Sequence, residues 1–141
     1  METLDRAVHS ALAAALGGGP RGLISAYVFG SVADGRAHRE SDVDVGILLD
    51  RRIYPLTVDR FEEKLRLIGR LRPALRRDVD VVILNDAPPQ LARRIMTADH
   101  RVFATDVETD HAFLRTVLSR AADLEPFLRR TRRVKLQALV R

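Results

Sequence analysis

Residues 23–49 read LISAYVFGSVADGRAHRESDVDVGILL, and this segment decides the fold. It begins with the apolar run Leu23–Phe29, rich in β-branched and aromatic residues, which predicts a buried strand. It ends with Asp42–Leu49, an apolar run with two acidic residues at its start, which predicts a second strand. Residues 30–41 between the strands are polar and include two glycines, so we expect a loop with one helical turn.

Shorter elements flank this pair of strands on both sides. Apolar residues at spacings of three and four predict a helix over residues 4–16, which the Gly and Pro residues of 17–20 end. The sequence DVDVVIL at 78–84 predicts a third strand. Two prolines then precede a short helix over 91–96, and residues 101–104 predict a brief fourth strand.

Longer helical patterns fill the rest of the chain. Thr57 begins one helix, and Pro73 is expected to end it, because the residue before a proline disfavours helical geometry. The apolar face of this helix consists of Val58, Phe61, Leu65 and Ile68. Another helical pattern begins near Asp106, and Pro126 is expected to interrupt it and to begin a separate helix over 127–140.

The length and composition indicate one globular domain. The chain has 141 residues, of which 46% are hydrophobic and 30% are charged, a composition typical of globular proteins that disfavours a disordered chain. The order of the elements predicts a mixed α/β (α+β) fold, with a small mixed sheet flanked by helices. We expect residues 1–141 to form a single domain, with a core at 22–104 and a C-terminal helical segment at 106–141.

The sequence contains no cysteine, which excludes disulfide scaffolds, thiolate zinc sites and cysteine nucleophiles. This composition is compatible with the reducing cytoplasm. The longest run without Asp, Glu, Lys or Arg, residues 7–20, is too short to span a bilayer. We therefore expect a cytoplasmic protein with no membrane contact.

The positive charge lies at one end of the chain. The formal net charge is +5, but residues 113–141 carry eight basic and two acidic side chains, whereas residues 1–112 carry 16 basic and 17 acidic ones. The basic run at 129–135 is either a solvated helix face or a contact for an acidic partner surface or for phosphates. No aromatic residue lies within that run, which argues against stacking on single-stranded nucleic acid, and we do not expect direct nucleic-acid binding.

Paired acidic residues mark the candidate site. Asp42 and Asp44 are two positions apart on a predicted strand, so both carboxylates are expected on one face and the intervening valines in the core. Such neighbouring carboxylates repel each other unless a cation lies between them, and oxygen ligands suit Mg²⁺. On the third predicted strand Asp80 is the better candidate to join them, because Asp78 lies at the strand's edge. We expect Asp78, Asp50 and Asp86 to be solvent-facing or capping residues.

A glycine and a serine follow the first predicted strand. Gly30 permits close approach of a phosphate to the backbone, and the Ser31 hydroxyl adds a hydrogen-bond donor. Together with the acidic pair that begins twelve residues after Gly30, this arrangement predicts a site for a nucleoside triphosphate with its metal ions.

Gly30-Ser31, ten further residues and then Asp42-Val43-Asp44 resemble the signature of the DNA polymerase β-like nucleotidyltransferase superfamily. The flanking residues resemble its minimal nucleotidyltransferase (MNT) branch, whose members often act as antitoxins beside HEPN-domain RNase toxins. The similarity extends over residues 26–86. It implies the polymerase β-like fold, with Gly30 and Ser31 as the triphosphate-binding residues. It also implies that Asp42, Asp44 and Asp80 are the catalytic carboxylates and the ligands of one or two Mg²⁺ ions.

The resemblance further implies a reaction and a partner. AMP would pass from ATP to a tyrosine hydroxyl of a HEPN toxin, pyrophosphate would leave, and toxin and antitoxin would form a hetero-oligomer. Two alternatives stay open: neutralisation of the toxin by binding and occlusion alone, and an RNA-directed role that rests only on the basic C-terminal run. One position departs from the family, since Asp34 stands where members commonly have Arg, and Arg36 and Arg39 are the nearest substitutes.

Overall fold

The computed structural model describes residues 2–18, 21–33, 42–98 and 100–140. Its centre is a four-stranded mixed sheet in the order β3-β2-β1-β4. The strands are β1 (Leu23–Phe29), β2 (Val43–Leu49), β3 (Val79–Ile83) and β4 (Arg101–Ala104). Strand β1 pairs antiparallel with both β2 and β4, whereas β2 and β3 run parallel. The sequence predicted all four strands, with boundaries that differ by at most one residue at either end.

Five helices accompany the sheet within the described residues. They are α1 (Glu2–Gly17), α2 (Gly30–Ala33), α3 (Thr57–Leu75), α4 (Pro89–Thr97) and α5 (Val107–Val140), and a short 3-10 turn, Leu84–Asp86, follows β3. The mixed α/β fold with helices flanking a small sheet is therefore confirmed. None of the described helices combines the length and the apolar character that a membrane span requires.

The sheet separates two apolar layers. On one face, α1 and α3 pack against alternate residues of β2, of which Val43, Val45 and Ile47 are fully buried. On the other face, α4 and the first half of α5 pack against residues such as Leu48. Because side chains alternate along a strand, Asp44 lies on the second face, opposite its two valine neighbours, as the sequence predicted.

The predicted apolar face of α3 is wrong. Its residues Val58, Phe61 and Leu65 are 56%, 53% and 53% exposed, and among that set only Ile68 packs against the core. The buried face instead consists of Arg60, Glu63, Leu67 and Leu71. Arg60 tolerates burial because its guanidinium forms two hydrogen bonds of 2.8 Å with the Asp86 carboxylate. A charged residue with a paired head group and an apolar stem can thus occupy the inner face of a helix.

Both predicted proline breaks are also wrong. Helix α3 continues through Pro73 to Leu75, which packs against the core, and it ends at Arg76 in the left-handed conformation with φ of 53°. Helix α5 continues through Pro126 without interruption. Near that point Gln90 of α4 donates a hydrogen bond of 3.0 Å to the carbonyl oxygen of Ala121. Both helices therefore continue past their prolines, each with one backbone hydrogen bond fewer.

Helix α5 extends well past the sheet. Its 34 residues correspond to about 51 Å at the usual rise. Its buried residues Asp110, Val117 and Ala121 all lie in the first half. Every side chain that the structure describes beyond Ala121 is at least partly exposed, including Phe127 at 57% and Val134 at 63%. The second half of α5 is consequently a basic helix whose apolar side chains Phe127 and Val134 are not covered by any part of the chain that the structure describes.

Candidate active site

The acidic residues meet where β2 and β3 begin. Asp44 of β2 lies directly opposite Asp80 of β3 in the parallel register, and Asp42 immediately precedes β2. Neighbouring strands are about 4.8 Å apart, so the two strand carboxylates are neighbours on one face of the sheet. Asp44 is half-buried, while Asp42 and Asp80 are exposed. The structure thus brings together the acids that the sequence singled out on separate strands.

The electrostatics of Asp44 reflect this proximity. Burial raises the pKa of its carboxyl above the ordinary value, and the negative charges of Asp80 and Asp42 raise that pKa further. Each contribution disfavours the charged form of Asp44. A bound cation would reverse the effect, because an opposite charge favours the carboxylate. Asp44 therefore lies where a bound cation would stabilise the charged form of its carboxyl.

The arrangement fits Mg²⁺ bound with water and substrate and does not fit an all-protein cage. Among the described residues, no group of three or more His, Cys, Asp or Glu side chains is arranged to hold a metal ion. Mg²⁺ usually keeps several waters and binds through one or two carboxylates together with substrate phosphates. The half-buried Asp44, with a carboxylate on either side, meets that requirement.

Gly30 lies beside the acids for a steric reason. It follows Phe29, which pairs with Asp44 across β1 and β2, and it has a φ of 75°, where residues with a side chain are disfavoured. A Cβ atom at this position would overlap Oδ2 of Asp44 and lie 3.2 Å from its Cγ. Glycine therefore allows the end of β1 to approach the acidic pair. Ser31 is the next residue of α2, and its side chain lies outside the described part of the structure.

Asp34, Arg36 and Arg39, with His38 between them, fall within residues 34–41, which lie outside the described residues. The expectation that Arg36 or Arg39 compensates for Asp34 therefore stays a prediction.

The remaining acids behave largely as expected. Asp78 is exposed and forms an ion pair of 2.7 Å with Arg72, and Asp50 caps a turn by accepting a hydrogen bond from the Arg52 backbone amide. Asp86 is exposed, and it also holds the buried guanidinium of Arg60. None of these three contacts points to a metal-binding role.

A buried polar network that the sequence patterns did not indicate lies on the same face of the sheet as Asp44. Asp110 of α5 is 1% exposed and accepts hydrogen bonds from Ser25 (2.5 Å), Tyr27 (2.6 Å) and Arg101 (3.1 Å). Burial and the Asp110 carboxylate raise the pKa of Tyr27 well above its ordinary value. The network ties α5 to β1, the strand that Gly30 directly follows. Its sequence signal was an acid seven residues before Val117, on the buried face of a helix.

Known proteins resemble this chain in sequence and in structure. The family model described as "Polymerase beta, Nucleotidyltransferase" matches residues 21–108. The protein adenylyltransferase MntA of Shewanella oneidensis is 30% identical over 91 residues, which is 64% of this chain and 61% of that relative. The matched region thus spans less than two thirds of MntA.

Solved structures resemble almost the whole chain. A toxin–antitoxin crystal structure with AMP-PNP has a TM-score of 0.68 and 25% identity, and the match covers 94% of this chain and 98% of that one. The structure of a tri-AMPylated Shewanella oneidensis HEPN toxin in complex with its MNT antitoxin matches in fold, with a TM-score of 0.61, 21% identity and coverage of 97% and 99%. With the family match over residues 21–108, these findings show that the chain belongs to the polymerase beta nucleotidyltransferase family.

Proposed function

We propose that this chain is a metal-dependent nucleotidyltransferase, an antitoxin that transfers AMP from ATP to a tyrosine hydroxyl of a cognate HEPN toxin. The observation that carries the proposal is a row of three positions on adjacent strands. Asp80, Asp44 and Phe29 occupy matching register positions on β3, β2 and β1, and Gly30 follows Phe29. In this row, Gly30 lets a phosphate come close to the backbone, and the carboxylates of Asp44 and Asp80 lie side by side. Binding of a triphosphate with its metal requires both features.

Each residue has a distinct role in the proposed reaction. Gly30 and Ser31 hold the triphosphate through the backbone and the hydroxyl, and Asp42, Asp44 and Asp80 are the Mg²⁺ ligands. Mg²⁺, when bound, neutralises charge on the phosphates. The tyrosine oxygen attacks the α-phosphorus, Asp80 accepts the proton of the hydroxyl, and the bond to the β-phosphate breaks to release pyrophosphate. The protein contributes mainly positioning and charge neutralisation.

The relatives support this assignment of donor and acceptor. The matched MntA is named a protein adenylyltransferase, one similar structure contains AMP-PNP, and another contains a tri-AMPylated HEPN toxin bound to its MNT antitoxin. By analogy, ATP is the donor, a HEPN protein is the acceptor and the two chains form a hetero-oligomer. The use of ATP locates the proposed reaction in the cytoplasm.

The test is AMP transfer by two matched variants. Purified chain, Mg²⁺ and ATP labelled at the α-phosphate are incubated with the cognate HEPN protein, and label on the HEPN protein is measured. Asp44→Asn keeps the side-chain shape and should abolish transfer, whereas Asp78→Asn, on an exposed acid paired with Arg72, should leave it near the wild-type rate. Transfer by the Asp44→Asn protein at the wild-type rate would refute the proposal.

Occlusion without chemistry is the second candidate. It is favoured by the exposed apolar residues of α3 and of the second half of α5, which offer contact surface that no described part of the chain covers. An RNase assay separates the candidates. If the Asp44→Asn antitoxin silences the HEPN toxin as fully as the wild type does, binding alone is sufficient for neutralisation.

A further inference from the structure

The second half of α5 carries a narrow apolar stripe. Its members are spaced three, four and three residues apart and therefore share one side of the helix over about 15 Å: Leu124, Phe127, Thr131 and Val134. Phe127 and Val134 are more than half exposed. The Thr131 hydroxyl donates a hydrogen bond of 3.0 Å to the carbonyl oxygen of Phe127, so its polar group needs no partner from outside the helix. We call these four residues the seam.

The spacing of the seam is typical of two helices that pack side by side. A helix that packs on a globular core usually has a broader apolar face, whereas a stripe of this width is the coiled-coil pattern. A groove of about 460 Å³ follows the seam, and its lining residues all belong to α5: Phe127, Arg130, Thr131, Val134 and Lys135. Within the described residues no other helix or strand lines this groove. The seam therefore fits one helix from outside the chain.

The charges beside the seam select the kind of helix that fits. Arg130 and Lys135 flank the seam, one on each side, at the positions that form ion pairs between the helices of a coiled coil. Residues 127–135 contain five basic side chains and no acidic one. A helix that packs on the seam must therefore present Asp or Glu opposite Arg130 and Lys135.

The same charges disfavour a second copy of this chain as the occupant. In a parallel pair of α5 helices, Arg130 of one copy would face Lys135 of the other. In an antiparallel pair, Arg130 would face Arg130 and Lys135 would face Lys135. Both arrangements bring like charges together, which opposes association. The seam is therefore better suited to a helix of a different protein.

We propose that the seam of α5 pairs with an amphipathic helix of the partner protein, one with acidic residues on both sides of its own apolar stripe. The inference rests on the proposed function for the identity of that protein, the cognate HEPN chain, and adds the surface through which the two bind. Phosphate groups of a nucleic acid or a membrane could pair with Arg130 and Lys135. They would leave Phe127 and Val134 without an apolar partner, so a helix fits this face better.

Two substitutions test the apolar part of the seam. Val134→Asp puts a charge into it, and Val107→Asp makes the same change at the start of the same helix, where the valine is 43% exposed. Affinity for the purified cognate HEPN protein is measured by titration calorimetry at physiological salt, after circular dichroism has shown a wild-type melting curve. AMP transfer is measured on the same samples.

Two double variants test the flanking charges. Arg130→Glu with Lys135→Glu reverses the charges beside the seam. Arg132→Glu with Arg133→Glu changes the net charge by the same amount on the opposite side of the helix. A surface that attracts its partner by net charge alone responds equally to the two double variants, whereas a paired helix responds mainly to the first.

We expect Val134→Asp and the flanking double variant each to weaken binding of the HEPN protein about tenfold or more, as loss of a central contact does. Val107→Asp and the outer double variant should stay within about twofold of the wild type, because charges outside the contact are screened within about 8 Å. Wild-type affinity in Val134→Asp would overturn the inference. Equal losses in the two double variants would also overturn it, as would a wild-type dimer that Val134→Asp dissociates.

Binding to phosphates is tested with the same proteins. A single-stranded RNA oligonucleotide and vesicles that contain an anionic phospholipid are titrated with the wild type and with the flanking double variant. Neither probe should distinguish the two proteins. If either probe binds the wild type alone, while the HEPN protein binds both equally, the face belongs to phosphates and the inference is wrong.

Failure of the proposed function gives a different result. If the wild type binds the HEPN protein but transfers no AMP, the enzymatic proposal fails, and the affinities of the seam variants still decide the inference. If Val134→Asp binds and modifies the HEPN protein as the wild type does, the inference fails and the enzymatic proposal stands. If Val134→Asp does not fold, Phe127→Asp, in the same seam, replaces it in every measurement.

Discussion

Substitution of Gly30 by alanine tests the geometry of the site most directly. The φ of 75° lies in the left-handed region, where an L-residue costs about 1–2 kcal/mol. The new Cβ would also overlap Oδ2 of Asp44, so the carboxylate or the end of β1 must shift. The backbone cost alone should lower the melting temperature by about 3–8 °C for a domain of this size.

The rate of AMP transfer by Gly30→Ala should fall by more than its loss of folding stability can explain. A displacement of about 1 Å in a catalytic group reduces rates by about 100-fold, and the overlap with Asp44 requires a movement of that order. The assays are thermal unfolding and AMP transfer to the HEPN protein at a temperature where the variant is fully folded. The loss of transfer at that temperature then reports the displaced carboxylate and not unfolding.

Gly69→Ala is the matched control. Gly69 lies within α3, and a Cβ added there meets no atom within 4 Å. Alanine should stabilise the helix by about 1 kcal/mol and leave transfer unchanged. If Gly30→Ala melts and reacts like the wild type, neither the left-handed backbone nor the contact with Asp44 matters, and the steric account of the site is wrong.

Other variants test the network, the charge of the site and the basic helix. Asp110→Ala leaves the buried Ser25 and Tyr27 hydroxyls without their acceptor and should cost about 2–5 kcal/mol in urea unfolding, whereas Tyr27→Phe should cost about 1 kcal/mol. Because the pKa of Asp44 is raised in the folded protein, metal-free protein should lose stability as the pH rises through that pKa. Asp44→Asn should remove this part of the pH dependence of unfolding in EDTA. Replacing the four arginines of residues 129–133 by alanine should weaken the complex with an acidic partner and reduce the salt dependence of its affinity, while Mg²⁺ binding is unchanged. If affinity and salt dependence are both unaltered, the basic run of α5 is only a solvated helix face.

The sheet was predictable because its signals are local. The apolar run Leu23–Phe29 and the alternation of valine and aspartate in β2 and β3 require only neighbouring residues to interpret. The spacing from Gly30 to Asp44 likewise located the candidate site. The direct pairing of Asp44 with Asp80 could not be predicted from the sequence, because it depends on which strands become neighbours and in which register.

The helices were predicted less well, for reasons of packing. Arg60 is charged yet buried, because Asp86, a partner distant in the sequence, neutralises it. The buried face of α3 is therefore not the face that the apolar residues predicted. Pro126 lies inside α5, because one missing backbone hydrogen bond does not outweigh the continuity of a long helix. Asp110 can be buried because its carboxylate accepts hydrogen bonds from three side chains, two of which belong to β1. Each error concerns a polar or proline residue whose environment is built by contacts remote in sequence.

Because α5 extends past the sheet, the residues that could bind a partner are separate from the residues that stabilise the fold. In a small protein these two functions usually fall on the same residues. Beyond Ala121 the described side chains contribute nothing to the buried core, so substitutions there escape the constraint of close packing. Phe127, Val134 and the basic side chains around them can therefore change without a loss of folding stability. A chain built in this way can acquire a new binding partner through the second half of α5 while the candidate site at Asp44 stays unaltered.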